Sequence, residues 1–126
     1  VANAVRPGSL VVSSRRLPGG LSNGMHVIEL RHPDGQRQQV VLRRFGHNER
    51  TPAVTAVREW RVLQSLREAG IPAPEPILLD GDGTISGSSA IVISLLDGRP
   101  MLRPPEVPGW ARQVAMALWT LHSEQV

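Results

Sequence analysis

The sequence contains no cysteine, no lysine and no tyrosine, and it has a single phenylalanine. Without cysteine, the chain can form neither disulfide bonds nor thiolate metal sites. No apolar run is long enough to span a bilayer, and the first residues, "VANAVRPGS", lack the charged start and the apolar block of a signal peptide. We therefore expect a cytoplasmic protein with no membrane partner. Because the chain does not begin with methionine, we also expect it to be a piece of a longer one.

The cationic side chains are all arginine. Fourteen arginines against 11 acidic residues give a net charge of +3, whereas the isoelectric point is about 11.2. Arginine does not titrate in the physiological range, so the isoelectric point rises while the charge at neutral pH stays small. The arginines are scattered singly or in pairs, and one phenylalanine with three tryptophans cannot form a base-stacking platform. The composition therefore argues against a nucleic-acid partner.

Five segments rich in β-branched residues predict strands, at 10–14, 25–30, 38–45, 76–80 and 89–96. A glycine-rich segment joins the first two, and a Pro33-Asp34-Gly35 turn joins the second to the third. The last two are joined around "DGDG". Such short turns indicate antiparallel pairing.

Two helices are predicted. Thr51 can cap the first, Pro52 suits its first turn, and Gly70 ends it. The second covers 108–122, after a proline-rich linker at 97–109, and has an apolar stripe formed by Ala111, Val114, Ala115, Leu118 and Leu121. The order of the elements predicts an α+β fold, with a five-stranded antiparallel sheet and one packed helix, followed by a linker and a final helix.

The glycine-rich segment does not match a phosphate-binding motif by itself. Gly19 and Gly24 have the spacing of a Walker A motif, but Met25 and His26 stand where lysine and serine or threonine are required. Taken alone, the segment is more typical of a turn.

No metal site is predicted in this chain. The segment "DGDGT" at 80–84 resembles the start of a calcium loop, but Ile91 occupies the position that needs a glutamate. We therefore interpret it as a hairpin turn. The histidines have no metal-ligand spacing, and we expect them to be solvated or locally bonded; they are His26, His32, His47 and His122.

Arg43 and Glu59 form a more informative pair. Glu59 precedes Val62, Leu63 and Leu66 by three, four and seven residues, so it lies on the apolar stripe of the first predicted helix. A carboxylate on such a stripe is costly to bury without a partner. Arg43 and its neighbour in the preceding strand face opposite ways, so one of them can supply that partner. The pair is either structural or a carboxylate that holds a phosphate-binding cation.

Five segments, taken in order, resemble the N-terminal lobe of the aminoglycoside phosphotransferase and choline kinase-like family, relatives of the protein kinases. They are "LPGGLSN", "VVLR", "AVREWRVLQSLREAGIPAPEPILLD", "AIVISLLDGRPM" and "ARQVAMALWTLH". The resemblance covers nearly the whole chain from about residue 10. It implies a kinase-like nucleotide-binding lobe at 1–96. It also implies a linker and the first helix of a C-terminal lobe at 97–126.

The resemblance also implies which residues contact a nucleotide, ATP or GTP. The glycine segment becomes a lid over the phosphates, and Arg43, held by Glu59, contacts them in place of the commoner lysine. The Ser94 carbonyl and the Leu96 N–H would contact the base. The implied nucleotide-binding residues are Gly19, Gly20, Leu21, Ser22, Asn23, Arg43, Glu59, Ser94 and Leu96.

The family's catalytic His-x-Asp loop and its Mg²⁺ ligands follow the last helix of this chain. The resemblance therefore implies the nucleotide-binding part of a phosphotransferase that phosphorylates the hydroxyl of a small molecule. We expect it to be inactive alone, with no catalytic residue and with its Mg²⁺ ligands beyond the C-terminus. The alternative is a non-catalytic kinase-like module that acts in protein association. In either case, the stripe of the 108–122 helix predicts self-association, either on a second copy or by folding back on the chain's own sheet.

Overall fold

The structure is a computed structural model and describes residues 1–18, 24–46, 49–99, 101 and 103–124. In chain order the elements are α1 (Ala2–Val5), β1 (Leu10–Arg16), β2 (Met25–Arg31), β3 (Arg37–Arg44), α2 (Pro52–Glu68), β4 (Pro76–Asp80), β5 (Ala90–Ser94) and α3 (Val107–Ser123). The five strands form one antiparallel sheet in the order β1-β2-β3-β5-β4. The predicted α+β fold and its five-stranded sheet are confirmed.

The sheet has an apolar core on each face. Alternation within a strand sends neighbouring side chains to opposite sides, so Val27 of β2 packs toward α2 whereas Ile28 packs on the other face. On the α2 side, Ala56 and Leu63 of the helix cover the sheet. This packing fixes which side chains of β3 face the helix, and it thereby positions the site.

Helix α2 begins and ends where its sequence predicts. Gly70 adopts a φ of 70°, its N–H donates to the Arg67 carbonyl, and the next N–H, of Ile71, donates to the Leu66 carbonyl. These two bonds form the left-handed C-cap for which glycine is suited. Thr51 stands at the N-cap, yet its side chain makes no capping hydrogen bond. The predicted start is therefore confirmed, with Thr51 at the N-cap and Pro52 in the first turn, and only the hydrogen bond from the side chain is missing.

The short helix α1 was not predicted, because a single turn has no detectable apolar period. Its Ala2 is buried against the face of the sheet opposite α2. The segment that follows is tied to the end of β2 through the buried pair Ser9 and His32, with 2.6 Å between Oγ and Nδ1. The other ring nitrogen of His32 lies 2.9 Å from Gln38 Oε1. His32 is thus a locally bonded histidine, as expected.

The β4–β5 connection is a hairpin turn organised by Asp80. This carboxylate is 4% exposed and accepts hydrogen bonds from the Ser86 N–H and hydroxyl, both at 2.7 Å, and from the Ile85 N–H. Burial raises the pKa of Asp80, but these hydrogen bonds outweigh it and leave the pKa below its usual value. The carboxylate is occupied by its own turn, in agreement with the hairpin interpretation.

Candidate functional site

Arg43 points toward α2, and its position follows from the register of β3. It pairs with Met25 on β2 and with Ile91 on β5, and it shares its face with Val41. Arg44 points to the other face, where it is exposed and donates to the Ser86 carbonyl at 3.3 Å. The sheet therefore selects Arg43 as the cation that meets the helix.

The predicted pair between Arg43 and Glu59 is present. Arg43 Nε lies 3.0 Å from Glu59 Oε1, and the two side chains are 29% and 30% exposed. Nε is shielded from solvent but makes no properly directed hydrogen bond. The contact therefore joins two charges without aiming the N–H at the carboxylate. One guanidinium face also lies over Phe45, 5.3 Å from the ring centroid.

Glu59 is not stabilised by this pairing as strongly as the short distance suggests. Burial raises the pKa of its carboxyl, the charge of Arg43 lowers it, and the charge of Glu49 raises it again, with a net rise. Desolvation therefore outweighs the single cation. In the ion pair only Nε of the guanidinium faces Glu59, so Arg43 retains donors for another anion.

A cavity of about 740 Å³ opens on the α2 face of the sheet, beside Arg43. Met25 links the two, because it lines the cavity while its Sδ lies 3.8 Å from Arg43 Nη1. The lining is mainly apolar and comes from β1–β3, from β5 and from the segments next to them; its apolar members include Leu17, Met25, Val41, Ile93 and Leu95, and Arg15 and Arg99 also line it. An apolar cavity with cations at its wall suits a ring system that carries an anionic group.

Ser94 and Leu96 also line this cavity, at the end of β5. Ser94 is held in place from two sides, because its N–H donates to the Glu75 carbonyl and its hydroxyl accepts from the Glu75 N–H. Leu96 lies past the end of the strand and is 57% exposed. Within the described part of the chain its N–H has no hydrogen-bond partner, so a donor is available at the cavity wall.

The predicted lid residues Gly19, Gly20, Leu21, Ser22 and Asn23 lie outside the described residues, and their assignment stays a prediction. Gly24, at the end of the same segment, has a packing role. Its carbonyl accepts from the Arg44 N–H at 2.8 Å, and a Cβ at Gly24 would overlap the Arg44 carbonyl oxygen. Glycine is therefore required where the segment rejoins the sheet.

Glu49 is the site residue that the sequence did not reveal. It lies in the connection between β3 and α2, and its charge acts on Glu59. Its position has no periodic signal, since the connection belongs to neither element. The only clue in the sequence is a second acidic residue between the strand that ends near Arg43 and the helix that contains Glu59.

The described residues contain no group of three or more histidine, aspartate or glutamate side chains that could hold a metal ion. In the same part of the chain, none of the helices combines the length and the apolar character needed to cross a membrane.

The fold and the site define a class. One antiparallel sheet of five strands, with a helix carboxylate paired to a cation of the third strand, is the arrangement of a kinase-like N-terminal lobe. The sequence profile of the phosphotransferase enzyme family (APH) matches residues 13–125. The chain belongs to this family.

A solved structure shares the fold. A candidate aminoglycoside phosphotransferase from Ralstonia eutropha is similar, with a TM-score of 0.50 and 21% identity. The similarity covers 77% of this chain and 26% of the other. The chain thus spans about a quarter of that relative's length, and at this identity the likeness concerns the fold alone. A comparison with curated proteins gave no significant match.

Proposed function

We propose that this chain is the nucleotide-binding part of a phosphotransferase that uses ATP or GTP to phosphorylate the hydroxyl of a small molecule. Membership of the phosphotransferase family supports the reaction class. The observation that carries the assignment is the Arg43–Glu59 pair, which Met25 connects to a mainly apolar cavity: Met25 lines the cavity and contacts Arg43. A cation that is held by a helix carboxylate and still has free donors is suited to phosphate oxygens.

We propose one orientation for a nucleotide in the cavity. In the proposal, a purine ring lies between the apolar walls near Val41 and Ile93, and the unpaired Leu96 N–H donates to a ring nitrogen. The phosphates then extend past Met25 toward Arg43, and a contact with Gly19 and Gly20, which lie outside the described residues, stays a prediction. Phosphoryl transfer needs little covalent chemistry from the protein, so binding and positioning are the contributions expected of these residues.

Bound Mg²⁺ would supply charge neutralisation of the transferring phosphate. No set of ligands for it stands out among the described residues. In our proposal its ligands, the base that orients the substrate hydroxyl and the acceptor pocket are supplied by further parts of the protein. The cytoplasmic location remains a prediction.

Binding can be measured by following backbone amide resonances while Mg·ATP or Mg·GTP is added. We expect shifts at Val41, Ile93 and Leu96. The affinity should be weak, because this chain supplies one side of the proposed cleft. Replacing Arg43 by alanine removes one charge-assisted phosphate contact worth roughly 1.5–3 kcal/mol, and so weakens binding about tenfold to a hundredfold. Arg44→Ala is the matched control and should bind normally. If Arg43→Ala and Arg44→Ala bind the nucleotide with equal affinity, Arg43 does not contact the phosphates.

Protein association is the second candidate function, and helix α3 favours it. None of its residues is buried, and Trp119 is 75% exposed. Among the described residues the helix does not pack on the chain's own sheet, and self-association on a second copy stays a prediction. Covering its apolar stripe would contribute several kcal/mol at about 25 cal/mol per Å² of apolar area.

A further inference from the structure

A second cavity, of about 650 Å³, opens on the face of the sheet opposite α2. Its apolar members Val5 and Ile77 pack against the core on that face. The polar part of its lining comes from the segment after α1, the β2–β3 hairpin, the start of β4 and the end of β5; it includes Arg6, His32, Arg37, Gln38, Glu75 and Ser94. This cavity differs from the one beside Arg43, although Ser94 lines both.

His32 is a fixed part of the wall and leaves a donor beside it. The residue is 8% exposed, and its two ring nitrogens lie 2.6 Å from Ser9 Oγ and 2.9 Å from Gln38 Oε1. Gln38 uses its side-chain carbonyl oxygen in this contact, so its amide nitrogen takes no part in it and can donate to a ligand. The ring itself is occupied, and the amide next to it is the polar group that a ligand can use.

Arg6 is the available cation of this cavity. Its Nη1 lies 3.1 Å from Asp34 Oδ2, and the two side chains are 47% and 42% exposed. An ion pair this exposed contributes little to stability, and a guanidinium has further N–H donors besides those of one nitrogen. The other arginine of the lining, Arg37, is held more closely, with 2.7 Å between its Nη1 and Glu29 Oε1. Arg6 can therefore take a carboxylate in addition to Asp34, or in its place.

Glu75 limits the charge of a ligand in the same cavity. Its Oε1 lies 2.9 Å from Arg67 Nη1, in a pair that is exposed on both sides. The backbone of Glu75 is fixed by Ser94, which donates its N–H to the Glu75 carbonyl and accepts from the Glu75 N–H. A ligand with several negative charges would be repelled by this carboxylate, whereas a single charge is matched by one guanidinium. A planar carboxylate also fits the fork of an arginine through two parallel hydrogen bonds.

We propose that this second cavity is a binding site for a small monocarboxylate. Arg6 holds the carboxylate group, the Gln38 amide donates to a second polar group of the ligand, and Val5 and Ile77 contact its apolar part. The site lies on the opposite face of the sheet from the proposed nucleotide position, and the inference does not rest on the proposed function.

Lactate is a suitable probe, with lactamide as the uncharged molecule of nearly the same shape. Backbone amide resonances of the whole chain are followed at constant ionic strength. We expect saturable shifts at Arg6, Gln38 and Ser94 with lactate and none with lactamide. Inorganic phosphate at pH 8, which carries more negative charge, should bind more weakly. The site is refuted if lactate causes no saturable shift or if lactamide causes the same shifts, and phosphate binding as tight as that of lactate would overturn the ligand class.

Two charge changes test the role of Arg6 in opposite directions. Arg6→Gln should weaken lactate binding about tenfold or more, whereas Arg31→Gln, at the exposed end of β2, should bind as the natural chain does. Asp34→Asn removes the competing carboxylate, while its Oδ1 can still accept from the Gln36 N–H. This variant should bind lactate severalfold more tightly, and Asp82→Asn, the same charge change in the β4–β5 turn, should not. A variant that binds more tightly cannot owe this to misfolding. Unchanged affinity in Arg6→Gln or in Asp34→Asn would overturn the assignment.

Discussion

Arg43 and Arg44 are consecutive residues of β3 with opposite surroundings. Arg43 is 29% exposed and lies 3.0 Å from Glu59 on the helix face, whereas Arg44 is exposed on the opposite face and donates to a turn carbonyl. The pleat of one strand separates a site residue from a surface residue of the same chemical type. The two arginines therefore form a matched pair for every test of the site.

The raised pKa of Glu59 predicts how stability depends on pH. A carboxyl whose pKa is higher in the folded chain stabilises the fold most at low pH, and this contribution is lost as pH rises through the folded-state pKa. We expect Glu59→Gln to abolish that part of the pH dependence, so that its free energy of unfolding falls less than that of the natural chain from pH 4 to pH 8. Urea unfolding across this range measures the effect, with Glu68→Gln as the control. Parallel curves for the natural chain and Glu59→Gln would contradict it.

The lowered pKa of Asp80 predicts the opposite pH dependence of the free energy of unfolding. Its pKa is lowered by hydrogen bonds, so its contribution is present above the unfolded-state pKa and is lost as pH falls through the folded value. Asp80→Asn replaces an acceptor of several bonds from Ser86 and Ile85, and should destabilise the chain by about 1–3 kcal/mol at pH 7 and by less at pH 3. Asp82→Asn, an exposed neighbour in the same turn, should cost less. Urea unfolding at both pH values measures the free energy of unfolding of each variant. If Asp80→Asn and Asp82→Asn lose the same free energy at pH 7, the hydrogen bonds to the buried Asp80 carboxylate do not stabilise the fold.

Any side chain at position 24 should destabilise the fold for a steric reason. A methyl group there would overlap the Arg44 carbonyl oxygen, whereas at Gly46 it would meet no atom within 4 Å. Gly24→Ala should destabilise the chain by about 1–3 kcal/mol, because the start of β2 must move away from β3. Gly46→Ala is the control, and it should be neutral or slightly stabilising. Thermal unfolding of both variants provides the measurement, and a Gly24→Ala chain as stable as the natural one would show that the close approach is dispensable.

The buried pair of Ser9 and His32 predicts an anchor for the N-terminal segment. Ser9→Ala leaves a ring nitrogen of His32 without its partner and should cost about 1 kcal/mol. Hydrogen exchange should also become faster in residues 2–9. Ser14→Ala, which removes an exposed hydroxyl from β1, should change neither quantity. Unchanged protection of the segment in Ser9→Ala would refute the anchoring role.

Helix α3 predicts concentration-dependent association. Light scattering of the whole chain should show a mass above that of the monomer as concentration rises. Leu118→Glu, on the apolar stripe, should reduce the association strongly, and Gln113→Glu should affect it little, because Gln113 lies off the stripe. A monomer at every concentration would disprove self-association through this helix.

The location of the five strands and of the two longer helices, α2 and α3, was predictable, because each has its own local signal, whereas α1 was not. β3 alternates between two buried faces, and α2 begins at a proline and is followed by Gly70, whose φ is 70°. The boundaries were less accurate. β5 was predicted to reach residue 96 but ends at Ser94, because the apolar residues that follow it line the cavity instead of extending the ladder.

The sequence alone determined that Arg43 or its neighbour would meet Glu59, since strand and helix periods are properties of the local chain. Only the tertiary structure decided that Met25 connects the pair to a cavity, that the Leu96 N–H at its wall has no partner among the described residues, and that the charge of Glu49 raises the pKa of the Glu59 carboxyl. These relations join residues from separate strands, a connection and a helix, and they depend on how the chain is packed. Burial and the distances between charges exist only after that packing, so the raised pKa of Glu59 has no counterpart in the sequence.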